Sequence, residues 1–460
     1  MNRSSSARIS LSILVAGYEL MMSPARSTAE PLTLIAAAGE VAPDSGGQTI
    51  SSFLGAPSFS KDTYELAYTS LLSGSPDSSA VYLHANGTSI RFAISGDTDP
   101  ITGNPYLSVG GPEFGEDGDF YFWADVVPGP EGMIRVANGI HSPFHRLAGM
   151  PVPGVAGANF SDVGRPIFGH SGDFAFSSTI SLPPFSFRGV FKSIGGIVTT
   201  MALNGGAAPG TGGGVFQLNP LEPVLEETGA VLFSAAIFGG NVERGIFRAS
   251  ESATVPVLRS GEPAPGTGGA TFGFLGDPVM NSQGDFVFVA SLIGGASNWG
   301  IFRSRQDLVE AIVLAGEAVP ATGGGRFGNI PWGRPAFADS GAVVFRADLV
   351  DGRSSSGIFA TFGGSAYPLA LAGDVAPGIS DTTFTSFDAP TVGSFGRIGL
   401  LAGLDSVHNP TALYLPEPKP STPLLCALVG ALVGIGRVRR PPAGRSSLRN
   451  KLSGGLKTAA

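Results

Sequence analysis

Seven copies of one spacing constrain this chain more than any other feature it has. A glycine follows a short apolar run, and a proline stands four residues later. The pairs are Gly39/Pro43, Gly96/Pro100, Gly149/Pro153, Gly205/Pro209, Gly261/Pro265, Gly316/Pro320 and Gly373/Pro377. The intervals are 57, 53, 56, 56, 55 and 57 residues. A second landmark keeps the same period, with prolines at Pro57, Pro112, Pro166, Pro223, Pro278, Pro335 and Pro390. Six residues beyond each proline comes a glycine in six copies (Gly118, Gly172, Gly229, Gly284, Gly341 and Gly396), and Thr63 in the first. Four residues further on from the glycines stand Phe122, Phe176, Phe233, Phe288, Phe345 and Leu400. A third landmark is the tripeptide Gly-Ile-Phe, clearest at 245–247, 300–302 and 357–359. A period of this length, repeated seven times, is the mark of a repeat architecture in which each unit buries its apolar face against its neighbours.

Each period reads as about four strands: an apolar run before the first glycine, a variable stretch, the run that carries the phenylalanine landmark, and Gly-Ile-Phe. About 55 residues shared among four strands of 5–6 residues leaves room for the loops between them. The third strands, such as 286–290 (Phe-Val-Phe-Val-Ala), are apolar on both faces, so the sheet they belong to must be covered on both sides. Blades stacked around a closed ring supply that cover and leave few exposed edges. The expected fold is therefore all-β, a seven-bladed β-propeller over residues 30–415. A β-solenoid and a pair of stacked sandwiches account less naturally for seven copies. A ring must also close, so residues 31–38 and 411–415 are expected to pair within one blade.

The fifth copy contains Asn281-Ser-Gln-Gly284-Asp-Phe-Val-Phe288. This spacing resembles the N-x-x-G-x-x-x-F tandem repeats of proteins found with a choice of C-terminal anchors. The two ends of the chain carry sorting features. Arg3, Arg8 and the apolar run 11–17 precede small residues at 27–29, as in a secretory signal peptide over 1–29. At the other end Pro416-Glu417-Pro418, the apolar run 424–435 and Arg437, Arg439 and Arg440 follow in that order. This order resembles the PEP-CTERM sorting signal. The resemblance implies recognition by an exosortase-type processing enzyme and delivery to the cell surface or extracellular matrix. The apolar run is short for a spanning helix, and the basic cluster beyond it fits a cytoplasmic tail. Residues 416–440 are thus read as a sorting or membrane segment, and 441–460 as a disordered basic tail.

Charge narrows the partners. Three basic residues and one acid precede Glu30, and eight basic residues and one acid lie from Pro416 on. The body between them holds 17 basic and 34 acidic groups, a net of −17. Phosphate binding needs a basic face, so nucleic acid is not an expected partner. The single cysteine, Cys426, lies outside the body, which must hold together without cross-links.

Candidate chemistry is sparse. The residue after the first repeat glycine is acidic in five copies: Glu40, Asp97, Glu262, Glu317 and Asp374. Repeats superpose in a ring, so these carboxylates form an acidic collar that would concentrate cations such as Ca²⁺ through oxygen ligands; the competing reading is turn carboxylates with local hydrogen bonds. Glu113, Glu116, Asp117 and Asp119 form the densest acidic cluster and read as a solvated hairpin loop. His141 and His145 are separated by Ser142 and Pro143 and read as a surface loop rather than a metal site. Arg135, Lys192, Arg248 and Arg303 follow Gly-Ile-Phe-type strands and are expected to pair with nearby acids. No G-x-S-x-G elbow, P-loop or H-E-x-x-H motif is present.

These features favour an exported, non-enzymatic surface or matrix protein that binds extracellular polysaccharide or another surface protein through one propeller face, with no cofactor unless Ca²⁺. The alternatives are a propeller polysaccharide hydrolase or lyase, which would need paired carboxylates, and a structural surface-layer component.

Overall fold

The computed structural model describes residues 32–416, apart from 61–62, 64, 75–77, 116–118, 127–131, 138–139, 146, 170–171, 220, 307, 330–332, 363 and 394–395. The expected signal peptide, the sorting residues Glu417, Pro418, Arg437, Arg439 and Arg440, and the basic tail lie outside the described residues.

The strands form seven small antiparallel sheets in a ring, a seven-bladed β-propeller. The fifth blade shows the plan. Thr271–Leu275 and Val279–Met280 both pair with Phe286–Ile293, which pairs with Trp299–Arg305, which in turn pairs with the edge strand Leu308–Leu314. Phe286–Ile293 is buried through its first five residues. Successive side chains of a strand point to opposite faces, and here each face meets a different blade. Phe286, Phe288 and Ala290 pack with Leu232 and Ile246 of the fourth blade. Val287 and Val289 pack with Phe337, Val343 and Phe345 of the sixth. The lack of apolar–polar alternation thus follows from one strand serving two interfaces.

The phenylalanine landmarks meet within each blade. Phe302 lies edge-on to Phe272 at 4.9 Å and stacks on Phe288 at 5.8 Å. The same trio recurs as Phe216, Phe233 and Phe247, and again as Phe327, Phe345 and Phe359. The glycine of Gly-Ile-Phe is part of this packing. A Cβ on Gly300 would stand 2.9 Å from the ring of Phe302, which folds back over it.

Among the described residues six sheets hold five strands rather than the expected four. The second-landmark proline explains the difference. It has no N–H to give to a ladder, so it splits the first strand in two, as Pro278 does between Thr271–Leu275 and Val279–Met280. In the second blade the strand Tyr106–Phe114 runs through Pro112 unbroken, with the register shifting between Gly110 and Glu113.

The sequence period is offset from the blade by one strand: the apolar run that opens each copy is the edge strand of the preceding blade. The run that opens the first copy, Leu32–Ala37, therefore completes the seventh blade. It pairs antiparallel with Thr411–Pro416, with Leu32 opposite Pro416, Leu34 opposite Tyr414 and Ala37 opposite Ala412. The expected pairing of the two ends is present, and Pro416 of the sorting motif is the last residue of the closing strand.

Gly39 locks this closure. Its φ is +89°, and a Cβ there would stand 2.3 Å from the backbone oxygen of His408 in the seventh blade. Gly205 is its equivalent between the third and fourth blades, with φ +78° and open space around it. Gly205→Ala should cost only the left-handed backbone penalty, about 1–2 kcal/mol. Gly39→Ala should cost clearly more, because backbone must move. Denaturant midpoints of the two variants check this, and equal midpoints would contradict the role given to Gly39.

Candidate functional site

The short strands that follow the landmark prolines converge. Phe59, Ile167, Val224, Val279, Phe337 and Val392, from six different blades, line one cavity of about 420 Å³. Only the ring axis is reached by all of them, so this cavity is one mouth of the axial channel. Tight hairpins rim it, and they hold one another: the N–H of Ser282 donates to Asp339 Oδ1 at 2.8 Å, across neighbouring blades.

Just inside this mouth the repeat breaks its own symmetry. The residues before the seven prolines are Ala56, Gly111, Arg165, Glu222, Asp277, Arg334 and Ala389. Blades one, two and seven fill the position with a small residue; blades three to six place a charge there. Arg334 forms an ion pair with Glu222 and donates from Nη2 to the carbonyl of Pro278 at 2.9 Å. Arg165 pairs with Glu113 of the second blade. Asp277 accepts from Ser234 Oγ at 2.5 Å and from the N–H of Glu222 at 3.2 Å. The result is a belt of mixed charge, negative, positive, negative, negative and positive in blade order, assembled from five blades.

Burial marks every member of the belt whose titration shifts. It lowers the pKa of Arg165, and lowers Arg334 to about 10 with the nearby Arg165 charge adding to the effect. It raises Asp277, against the opposing effects of the Ser234 hydrogen bond and the Arg244 charge. Arg334 also borders a second cavity of about 240 Å³, together with Asn219, Ser234, Arg244, Phe274 and Asp277.

The sequence-derived candidates lie elsewhere. The collar residues sit at the connections between blades, and four of the five engage local groups. Glu40 accepts from the N–H of Ala37 at 3.0 Å, and Asp97 from the N–H of Ile94 at 3.3 Å. Glu262 accepts from Arg259 Nε at 2.7 Å, Asp374 accepts from Arg353 at 2.8 Å, and Glu317 is exposed. Among the described residues no three His, Cys, Asp or Glu side chains gather as a metal site would require. Of the dense acidic cluster, Glu113 joins the belt, Asp119 binds Arg135 at 2.5 Å, and Glu116 and Asp117 lie outside the described residues. The expected base–acid pairs are present: Arg248 with Glu226 at 2.7 Å, Arg303 with Glu310 at 2.7 Å and Lys192 with Glu251 at 3.0 Å.

The histidine pair departs from its expected surface loop. His141 and His145 lie on the edge strand Ile140–His145, where Pro143 is tolerated because one side of the strand has no ladder to feed. His145 is 2 % exposed, with Phe174 and Phe176 edge-on to its ring at 4.7 Å each. Burial pushes its pKa down to about 3. It is a core residue.

The sequence of residues 131–298, and again that of 223–414, matches the model of a family described as a family of unknown function (DUF7453). No curated protein sequence matches the chain. Among solved structures it is similar to a Mycobacterium tuberculosis puromycin-hydrolyzing peptidase, at 12 % identity and TM-score 0.44, over 84 % of this chain and 54 % of that one. A Pyrococcus horikoshii acylaminoacyl peptidase gives 9 % and 0.42, over 82 % and 54 %. The chain thus spans about half the length of either peptidase. The polysaccharide lyase Uly1 gives 10 % and 0.42, over 85 % and 99 %.

Because His145 protonates near its ordinary value of 6.5 when unfolded and only near 3 when folded, the unfolded state binds the extra proton. The stabilisation is whole above about pH 6.5 and is lost as pH falls from there toward 3, at about 1.4 kcal/mol per pH unit. His145→Phe should keep the ring packing and remove this sensitivity. The stability gap between variant and wild type, from denaturant midpoints, should therefore widen in the variant's favour between pH 6 and 4. Parallel pH profiles would show that His145 is solvated.

Proposed function

The chain belongs to the DUF7453 family, a family of unknown function, and we propose that it is an exported surface or matrix protein that binds extracellular polysaccharide or a surface protein at its axial channel without transforming it. One observation carries the location. Three blades close the position before the landmark proline with Ala or Gly, so the ring does not need charge there. Burying charges costs stability unless each is paired, and a pair seldom stabilises more than apolar residues of the same volume. Four charged residues kept at this position, with Glu113 beside them, are thus better accounted for by a ligand than by the fold. The channel mouths also supply the concave, part-apolar surface that ligand sites use.

Export rests on the expected signal over 1–29 and on the PEP-CTERM-like segment 416–440, with an exosortase-type enzyme as its processing partner and the membrane as its transient or lasting anchor. The body charge of −17 keeps such a protein soluble outside the cell and disfavours polyanions of high charge density. A second reading, a polysaccharide hydrolase or lyase, draws on Asp277, a carboxyl that burial pushes toward the proton-holding form beside a cavity.

Incubating the full-length protein with the producing organism's extracellular polysaccharide separates these readings. Saturable binding with polymer length unchanged is expected, weakened about tenfold or more in the paired variant Glu113→Gln/Arg165→Gln, which removes both partners of one belt pair together. Calcium-dependent binding would point to Glu40, Asp97, Glu262, Glu317 and Asp374. Shortened polymer would replace the binding reading with the enzymatic one, and absence of both would favour a surface-layer role.

A further inference from the structure

The second cavity holds a cation whose charge the belt leaves without a hydrogen-bonded counterion. The Arg244 guanidinium lies 4.2 Å above the ring of Phe274 and donates from Nε to the carbonyl of Leu275 at 3.3 Å. Stacking and this one bond fix its plane. Its two Nη groups have no acceptor among the described residues. The carboxylate whose charge acts on Arg244 is Asp277, which accepts from Ser234 on one oxygen and from the N–H of Glu222 on the other and bonds neither Nη group. The other arginine of the cavity, Arg334, is already paired with Glu222. A planar guanidinium held by Nε and presenting its Nη fork to a cavity matches a carboxylate bidentately.

We infer that this cavity is a seat for a carboxylated sugar unit, a uronic acid residue of an acidic polysaccharide, whose carboxylate engages the Arg244 fork. The inference rests on the axial-binding reading and adds the ligand class to it. Three features select the sugar. The cavity, about 240 Å³, has room for one monosaccharide ring. Its remaining polar lining, the Asn219 amide and the outer lone pairs of Asp277, offers partners for ring hydroxyls, and an acidic peptide side chain has no second group to meet them. One guanidinium in this cavity without an ion pair among the described residues, inside a body of net charge −17, suits one carboxylate per unit better than a densely charged phosphate or sulfate chain.

Calorimetric titration of the full-length protein with D-galacturonate, D-galactose and L-glutamate tests this. Galacturonate should bind saturably and galactose and glutamate at least tenfold more weakly. Arg244→Gln should lose galacturonate binding by tenfold or more. Arg244→Lys, which keeps the charge and the stem over Phe274 but not the fork, should lose most of it, so the test survives if the glutamine variant fails to fold. Equal binding of galactose would overturn the carboxylate contact, and equal binding of glutamate would overturn the sugar. Undiminished binding in Arg244→Lys would overturn the fork geometry. The polymer assay separates the two levels. Polysaccharide binding retained in Arg244→Lys would leave the axial reading standing and remove this seat, whereas galacturonate binding without polymer binding would do the reverse.

Discussion

The third strand of each blade has no solvent face, and most of the molecule follows from that. Phe286 and Phe288 belong to the interface with the blade before, and Val287 and Val289 to the interface with the blade after. A sheet built on such a strand is unstable alone and needs two neighbours, and those neighbours need two more. The only arrangement of identical units that satisfies every one of them is a closed circle. Closure in turn demands that the two ends of the chain share a sheet, which Leu32–Ala37 and Thr411–Pro416 do. Because the body contains no cysteine, this strand pairing and the interblade packing hold the ring shut.

A ring of this kind is free to vary where the blades point inward. In six blades the first strand ends at the axis in a two-residue stub, which a proline separates from the rest of that strand while it stays paired with the next one. The residue before the proline is therefore under little demand from the sheet, and Ala56, Gly111 and Ala389 show the least that the fold requires. Arg165, Glu222, Asp277 and Arg334 exceed that minimum in four consecutive blades. Arg165 is paired with Glu113, Arg334 is paired with Glu222, and Asp277 is held by hydrogen bonds from Ser234 and the N–H of Glu222, so the belt stands without a ligand. Arg244, stacked on Phe274 one layer further out, is the cation left with coordination to offer.

The parts of this account that were legible in the sequence are those that repeat. The period, the number of blades, the two-faced third strand and the pairing of the ends all follow from landmarks present in nearly every copy. What was not legible is what differs between copies. The acidic residue after the first glycine stands out in the sequence because five copies share it, yet in Glu40, Asp97 and Glu262 it answers an N–H three residues back, a local turn contact. The belt residues share only a position, not a residue type, and superposing the repeats averages them away. The signal that reveals them is the position before the landmark proline, which switches from Ala or Gly to a charged residue in four consecutive copies and back to Ala in the last. The split of the first strand is hidden for a related reason: the proline marks the period in the sequence, and its missing N–H is what breaks the strand. His145 is not legible as a core residue because Ser142 and Pro143 suggest a turn, whereas an edge strand accepts both.

The proposed ligand site is the axis and not the rim. Amide hydrogen exchange of the protein with and without bound extracellular polysaccharide measures this directly. The account predicts new protection in segments 221–226, 274–278 and 333–335, which border the channel, and none in the edge strands Thr254–Arg259, Leu308–Leu314 and Ser365–Leu371. Protection confined to those edge strands, with the axial segments unchanged, would contradict it.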